Sequence, residues 1–248
     1  MIAAPVTIVT GAQQGIGAAT VRALARRNMN CVVNYLDDEA AAREVVRDAV
    51  AMGVRAVAVA ADVSTSDGVA RLIAAATDLG TLWALVNNAA IFPRRHLLDL
   101  TDQDWDTLMS VNLRGPFLCL RECARVMVGN GSGGSIVNLS SLAAVTPSGR
   151  GTHYAAAKAG IIGLTRAAAS ELGAHKIRVN AVAPGLTDTA QPRYGLTEEK
   201  IAQVAATIPI GNMAKPDDIA DVIAFLCSDE SRHVTGQVLH VNGGQYYG

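Results

Sequence analysis

The sequence predicts an α/β fold: a doubly wound parallel sheet of about seven strands in a single domain spanning 1–248. Three observations predict it. Short apolar runs rich in β-branched residues recur along the chain, and Ala-rich helical stretches fill the intervals between them. The runs are apolar almost throughout rather than alternating, as parallel strands covered on both faces must be. No low-complexity linker and no internal repeat divides the 248 residues.

In chain order the expected strands are VTIVT (6–10), CVVNY (31–35), RAVAVAAD (55–62), LWALVNN (82–88), SIVNLS (135–140), IRVNAVAP (177–184) and QVLHVN (237–242). Each strand–helix–strand step implies a right-handed crossover. Thr101 and Asp104 form a capping pattern ahead of WDTLMSV, with Asp in place of the usual Glu or Gln. Long helices are expected at about 103–128 and 152–173. The longest stretch outside the regular units, 185–216, lies between the sixth strand and the last helix. It is expected to hold one short helix at 197–206 and to act as a lid or binding loop. Pro216 suits the first position of the helix that follows.

Composition narrows the function classes. Half the residues are hydrophobic, which suits one large core, and the net charge of -1 with no basic stripe argues against nucleic-acid binding. No apolar run approaches the ~18 residues of a membrane span. The start, MIAAPVTIVTG, has no basic leader segment and runs straight into a strand pattern, so no signal peptide is expected. Cys31, Cys119, Cys123 and Cys227 make no disulfide framework in a chain this long. Cys119 and Cys123 lie four apart on a helix with no His cluster beside them, so a buried apolar role is expected, with no metal site. A cytoplasmic location follows from these readings.

Chemistry is concentrated at the carboxyl ends of the strands, where ligands bind in such sheets. TGAQQGIG (10–17) follows the first strand and opens the first helix. Gly11 permits the tight turn, Gly15 lets a pyrophosphate approach the backbone, and Gly17 lets the helix pack closely on the strand. The helix N-terminus offers free N–H groups to phosphates. The spacing is G-x-x-x-G-x-G, not the general G-x-G-x-x-G. Further polar clusters are NNAA (87–90), VN (111–112) and NLSS (138–141).

Then comes YAAAK, with Tyr154 and Lys158 one helical turn apart on one face. A free phenol ionises near pH 10, too high for a base near neutrality. An ammonium ~5 Å away at an effective dielectric of ~20 favours the phenolate by roughly 3 kcal/mol, or about two pKa units. That shift would make Tyr154 a usable acid–base. The pair alone is weak evidence, because a lysine can also snorkel from a packed helix.

The ordered set TGAQQGIG, DV (62–63), NNAA, VN, NLSS, YAAAK, PGLTDT (184–189) and VNGG (241–244) resembles the short-chain dehydrogenase/reductase family over essentially the whole chain. It is similar to the single-domain, Rossmann-type branch of 3-oxoacyl-carrier-protein reductases. The resemblance implies Tyr154 as acid–base and Lys158 as the group that lowers its pKa and holds the nicotinamide ribose. It implies Ser141 on the substrate oxygen, chosen over Ser140 by its spacing of thirteen residues from Tyr154. Asn112 would help hold a water that relays protons from Lys158.

For the cofactor it implies Gly11, Gln14, Gly15, Ile16 and Gly17 on the phosphates, and Asp62 and Val63 about the adenine. Asn88, Ala89 and Ala90 would lie behind the pocket, and Pro184, Gly185 and Thr189 on the nicotinamide side. The usual N-N-A-G reads NNAA here, so Ala90 stands where the family has glycine. The residue facing the adenosine ribose aligns to Tyr35, not to an acid. Asp37 and Asp38 either reach that ribose or begin the next helix, where acids suit the dipole. NADP(H) is the weakly preferred cofactor, with NAD(H) also open.

The substrate-binding residues implied are Ser141, Leu142, His153, Leu186 and Tyr194, with Ile91, Ala143, Val145 and Pro147 completing a largely apolar lining. Arg94 and Arg95 stand at its rim, where they either attract an anion or are solvated surface; the second reading is the one expected.

The activity implied is reversible NAD(P)-dependent interconversion of a ketone and a secondary alcohol, with a small-molecule substrate and a homotetrameric assembly. The alternatives from other classes are a catalytically silent cofactor-binding regulator on the same fold and a nucleotide-sugar epimerase or dehydratase.

Overall fold

The computed structural model describes residues 4–147 and 151–248. Seven parallel strands lie in the order β3-β2-β1-β4-β5-β6-β7. They are β1 (Val6–Val9), β2 (Asn30–Tyr35), β3 (Ala56–Ala60), β4 (Leu82–Asn87), β5 (Gly134–Leu139), β6 (Ile177–Pro184) and β7 (Val238–Val241). The first two crossovers from β1 use α1 (Gly15–Ala25) and α2 (Glu39–Ala51), and α3 (Ser66–Leu79) returns the chain to β4. The remaining helices are α4 (Asp102–Met109), α5 (Gly115–Asn130), α6 (Thr152–Leu172), α7 (Ala190–Arg193), α8 (Glu198–Ala205) and α9 (Pro216–Cys227).

Every residue of β1, β2, β5 and β6 is buried, as the uninterrupted apolar runs require of strands covered on both faces. The edge strands β3 and β7 are only half-covered. Two apolar layers result. Val9, Val33 and Val137 pack against α1, α2 and α9 on one face, and Ile8, Leu85 and Ile136 against α3, α5 and α6 on the other. All four cysteines are free and buried. Burial pushes the Cys31, Cys119 and Cys227 thiols up to about 12, as apolar packing would.

Local signals explain the element ends. The Thr101 hydroxyl accepts from the Asp104 backbone N–H at 3.1 Å, and Asp104 accepts in return from the Thr101 N–H at 3.2 Å. Pro216 opens α9, where Asp218 accepts from the Lys215 N–H at 2.7 Å. The long helix expected at 103–128 runs without interruption as α4 and α5, with a π-helical turn, Ser110–Arg114, inside it. The second long helix is α6, almost as expected. The excursion after β6 holds α8 and also α7, which the sequence reading did not foresee. A bridge between Thr187 and Ala214 closes its base.

Strand order reverses between β1 and β4. Both carboxyl ends open there onto one crevice, with the turn after β1 on one side and the end of β5 on the other.

Candidate active site

The glycine turn after β1 is shaped by close approaches. Gly11 and Gly15 adopt φ +58° and +55°, a left-handed conformation that side chains strain. A Cβ on Gly11 would come 2.8 Å from the Ala89 Cα, and one on Gly17 2.4 Å from the Gly11 carbonyl oxygen. The turn is tied to β4 by Asn88, whose amide donates to the carbonyls of Thr10 and Gly11 at 2.9 and 2.8 Å. The Ala89 N–H donates to the Thr10 hydroxyl at 3.0 Å. On the other side the Asn34 side chain accepts from the Gly11 N–H at 3.0 Å; Asn34 escaped the sequence reading. Gln14 leaves the start of α1 without a side-chain cap, and no acid lies in its first turn. An uncapped helix end behind glycines that admit no Cβ fits a dinucleotide pyrophosphate.

At the end of β2, Tyr35 is packed into the core, and Leu36, 64% exposed, is the first residue to emerge. Asp38 caps α2 by accepting from the Ala41 N–H at 2.9 Å, as the helix-start reading expected. Asp37 turns the other way, to accept from the Gln13 amide of the glycine turn at 3.2 Å. Asp62 is fixed by the Ser64 N–H and hydroxyl, at 2.9 and 2.7 Å, and Val63 beside it is buried. Among the described non-glycine residues only Asn28 and Lys176 have positive φ. Ala90 therefore takes the usual glycine position without strain.

A cleft of about 500 Å³ runs from this turn to the end of β5. It is lined by Ile16, Asn88, Ala90, Ser141, Tyr154, Lys158, Pro184, Gly185 and Thr189, and on the substrate side by Leu142, Ala143, Pro147 and Leu186. The two serines divide their labour. Ser140 is buried and donates to the Lys158 carbonyl at 2.9 Å, pinning α6 to β5. Ser141 accepts from the Ala143 N–H at 3.2 Å and lines the cleft with Tyr154, close enough to lower the pKa of its phenol.

The Lys158 Nζ lies 5.7 Å from the centre of the Tyr154 ring and donates to the Leu139 carbonyl at 2.7 Å. Burial lowers the Lys158 pKa to about 8. Burial also pushes the Tyr154 phenol above its ordinary value, while hydrogen bonds with Gln191 and Ser141 pull it back in part. The expected lowering of Tyr154 by Lys158 is not seen in this structure: desolvation raises the phenol, and the ammonium is bonded to the Leu139 carbonyl.

Asn112 sits fully buried in the π-helical turn. It accepts from the Ile91 N–H at 2.9 Å and donates to the Ile91 carbonyl at 2.8 Å. Its side chain therefore splices that turn to the exit of β4, leaving one lone pair and one N–H for anything else.

Two implied substrate residues lie elsewhere. His153 precedes Tyr154 on α6, and the ~100° step of an α-helix carries it off the cleft-facing side. It is fully buried, without a partner for either ring nitrogen, and burial lowers its pKa. Tyr194, just past α7, is 73% exposed and is not among the residues that line the cleft. Ile91 and Val145 are also absent from the lining: Ile91 serves Asn112 through its backbone.

The sequence reading missed other lining residues. Phe92 packs its ring 4.4 Å from that of Tyr154, at a tilt of 58°. Gln191 of α7 lines the cleft beside Tyr154, near enough to lower the pKa of its phenol, and Gln245 accepts from the Leu186 N–H at 3.0 Å. The only signal for Gln191 was its place two residues after Thr189. Thr189 itself touches the glycine turn, its methyl 3.3 Å from where a Gly15 Cβ would sit.

Comparison with known proteins gives a consistent picture. A family model described as Enoyl-(Acyl carrier protein) reductase matches residues 11–245. The 3-oxoacyl-(acyl-carrier-protein) reductase FabG of Staphylococcus aureus is 39% identical over 240 residues, covering 96% of this chain and 97% of that protein. The cis-4-hydroxycyclohexanecarboxylate dehydrogenase of Sinomonas cyclohexanicum is 43% identical over 241 residues, covering 96% and 95%. The crystal structure of acetoin dehydrogenase from Enterobacter cloacae superposes with a TM-score of 0.90 at 35% identity, covering both chains in full.

Proposed function

Because this chain belongs to the short-chain dehydrogenase/reductase family, whose NAD(P)-dependent members interconvert ketones and secondary alcohols, we propose that Tyr154 is its acid–base, supported by Ser141, Lys158 and Asn112. The carrying observation is that Ser141, Tyr154 and Lys158 line one and the same cleft, with the Lys158 Nζ 5.7 Å from the centre of the Tyr154 ring.

A nicotinamide, if held by the glycine turn, would supply or accept the hydride. Gly11, Gln14, Gly15, Ile16 and Gly17 would hold its pyrophosphate, Asp62 and Val63 its adenine, and Pro184, Gly185 and Thr189 its nicotinamide side. Asn88, Ala89 and Ala90 form the wall behind. The protein's own residues manage the proton. In reduction the Tyr154 phenol, kept protonated by burial, donates to the carbonyl oxygen while the Ser141 hydroxyl hydrogen-bonds the same atom. Lys158 has two N–H groups beyond the one given to Leu139, enough to hold a ribose and pass on a proton. In oxidation Tyr154 must act as phenolate, so that direction accelerates as pH rises into the alkaline range, while reduction does not need the rise.

The finer choice of nucleotide rests on the end of β2. Tyr35 leaves no acid at the last strand position, which favours NADP(H). Asp37, held by Gln13 beside the phosphate turn, sets a carboxylate against a 2′-phosphate. We infer that both nucleotides serve, with at most a modest preference for NADP(H).

A homotetramer is part of the same reading. Beyond its resemblance to the family, its support is a groove of about 520 Å³ on the outer face of α4 and α5, lined by Asp106, Met109, Ser110, Leu113, Arg114 and Phe117. This groove lies away from the cleft. No helix among the described residues is long and apolar enough to cross a membrane. Four free cysteines suit the reducing cytoplasm we assign.

The experiment is to mix protein, NADPH or NADH and a panel of ketones, and to follow reduced-nicotinamide absorbance. Tyr154→Phe is expected to lose turnover by at least ~10²-fold while keeping nucleotide affinity, since positioned acid–base catalysis contributes about that much or more. Wild-type rates in that variant would refute the assignment.

A further inference from the structure

The two arginines after β4 do different things. Arg95 pairs with Asp104 at 3.1 Å and serves the start of α4. Arg94 has no carboxylate partner among the described residues, and it lines the catalytic cleft. Its guanidinium carbon stands 5.2 Å over the Phe92 ring, which in turn packs 4.4 Å from the Tyr154 ring. These two links keep the cation within about 10 Å of the reacting phenol's ring.

The lid makes room for it. A Cβ on Gly195 would come 2.5 Å from the Arg94 Cδ and 2.6 Å from its Nε. Arg94 Nε is buried without an acceptor, and one terminal N–H makes only a long contact, 3.4 Å, to the Gly195 carbonyl. The Nε is closed off against Gly195, but the terminal N–H groups stay exposed and short of acceptors on a residue that lines the cleft, and such a pair is a recognition group for a planar anion. A carboxylate takes two parallel N–H bonds from such a fork. The surface reading expected for this residue holds for Arg95 and fails for Arg94.

We propose that Arg94 anchors a carboxylate on the substrate, so that this chain acts on short keto acids and the matching hydroxy acids. Phe92 sets the spacing: its ring separates the anchoring cation from Tyr154, and it holds the carbonyl and the carboxylate ends apart by a short carbon spacer. The proposal rests on the ketone–alcohol reading above and names its substrate class.

The test compares kcat/KM for 4-oxopentanoate and 5-oxohexanoate with their methyl esters, using the full chain with reduced nucleotide. The expected result is a preference for one of the acids over its ester of about tenfold or more, the range of a charge-assisted bidentate contact. In Arg94→Gln that acid-to-ester ratio should collapse towards one, chiefly through KM, and Arg94→Lys should restore part of it. Equal use of acid and ester by the wild type, or an unchanged ratio in Arg94→Gln, overturns the proposal.

A binding arm is independent of turnover. Calorimetric titration with hexanoate, which has no ketone to reduce, should show binding to the nucleotide-loaded wild type and at least tenfold weaker binding to Arg94→Gln. Failure of every ketone to react, with hexanoate binding intact, would refute the catalytic reading alone. Hexanoate binding that is absent, or indifferent to Arg94, would refute the anchor.

Discussion

Burial holds the Lys158 ammonium at a pKa of about 8, against an ordinary value of 10.5. The unfolded chain therefore binds this proton up to higher pH than the folded one, and the site contributes stability that increases as pH rises from about 8 to 10.5. Below that window, keeping the ammonium charged in the interior costs on the order of 3 kcal/mol. Urea unfolding at a series of pH values, without added nucleotide, should show that slope in the wild type and its loss in Lys158→Met. An identical slope in the variant would contradict the assignment. The same residue marks a limit of sequence reading. The spacing of Tyr154 and Lys158 revealed the pair, and the spacing of Ser141 from Tyr154 selected the serine whose hydroxyl is not spent on pinning α6. The charge balance was not legible, because it depends on how deeply α6 is buried and on where the ammonium points. His153 failed for a related reason: adjacency in sequence to Tyr154 places a helical side chain on a different face.

At the scale of elements, the inner strands were legible because a strand covered on both faces is largely apolar, and the half-covered edge strand β3 was legible from the same kind of run, AVAVA. Helix starts were legible where a side chain completes the end, as at Thr101 and Pro216. The single long helix was legible, but the π-helical turn inside it was not. Its physical reason is tertiary. The π-helical turn lets Asn112 reach the Ile91 backbone, while Gly115 admits Val63, whose Cγ2 would lie 3.2 Å from a Cβ there. In the lid, α8 could be foreseen from its Thr197 cap, which accepts from the Lys200 N–H at 3.2 Å. The four-residue α7 could not. Arg193 holds it by ion pairs to Asp188 and Glu198 at 2.8 and 2.7 Å, contacts made within the loop and invisible to periodicity.

For the whole molecule, the doubly wound order with its reversal between β1 and β4 follows from strand–helix alternation and right-handed crossovers. How copies of the chain assemble does not follow from those rules, because an apolar stripe on a helix serves a core and an interface equally. The groove on α4 and α5 supplies the test. Phe117 is partly exposed there, with the Arg121 guanidinium 5.3 Å over its ring. Phe117→Asp should shift the sedimenting species from tetramer to smaller forms with helical content unchanged. A wild type that sediments as a monomer would remove the assembly from the proposal.

The nearness of Thr189 to Gly15 gives the two halves of the cleft a sequence in time. Thr189, the residue just before α7, lies beside the turn that would receive the nucleotide, and Gln191, two residues further on, lines the cleft with Tyr154. Whatever enters the turn presses on the root of the lid, whereas a ketone arriving first meets a lid still seated on an empty turn. Turnover should then be ordered, nucleotide on first and off last. Initial-rate inhibition should show the oxidised nucleotide competing only with the reduced one, and a random pattern would mean that the contact carries no such message.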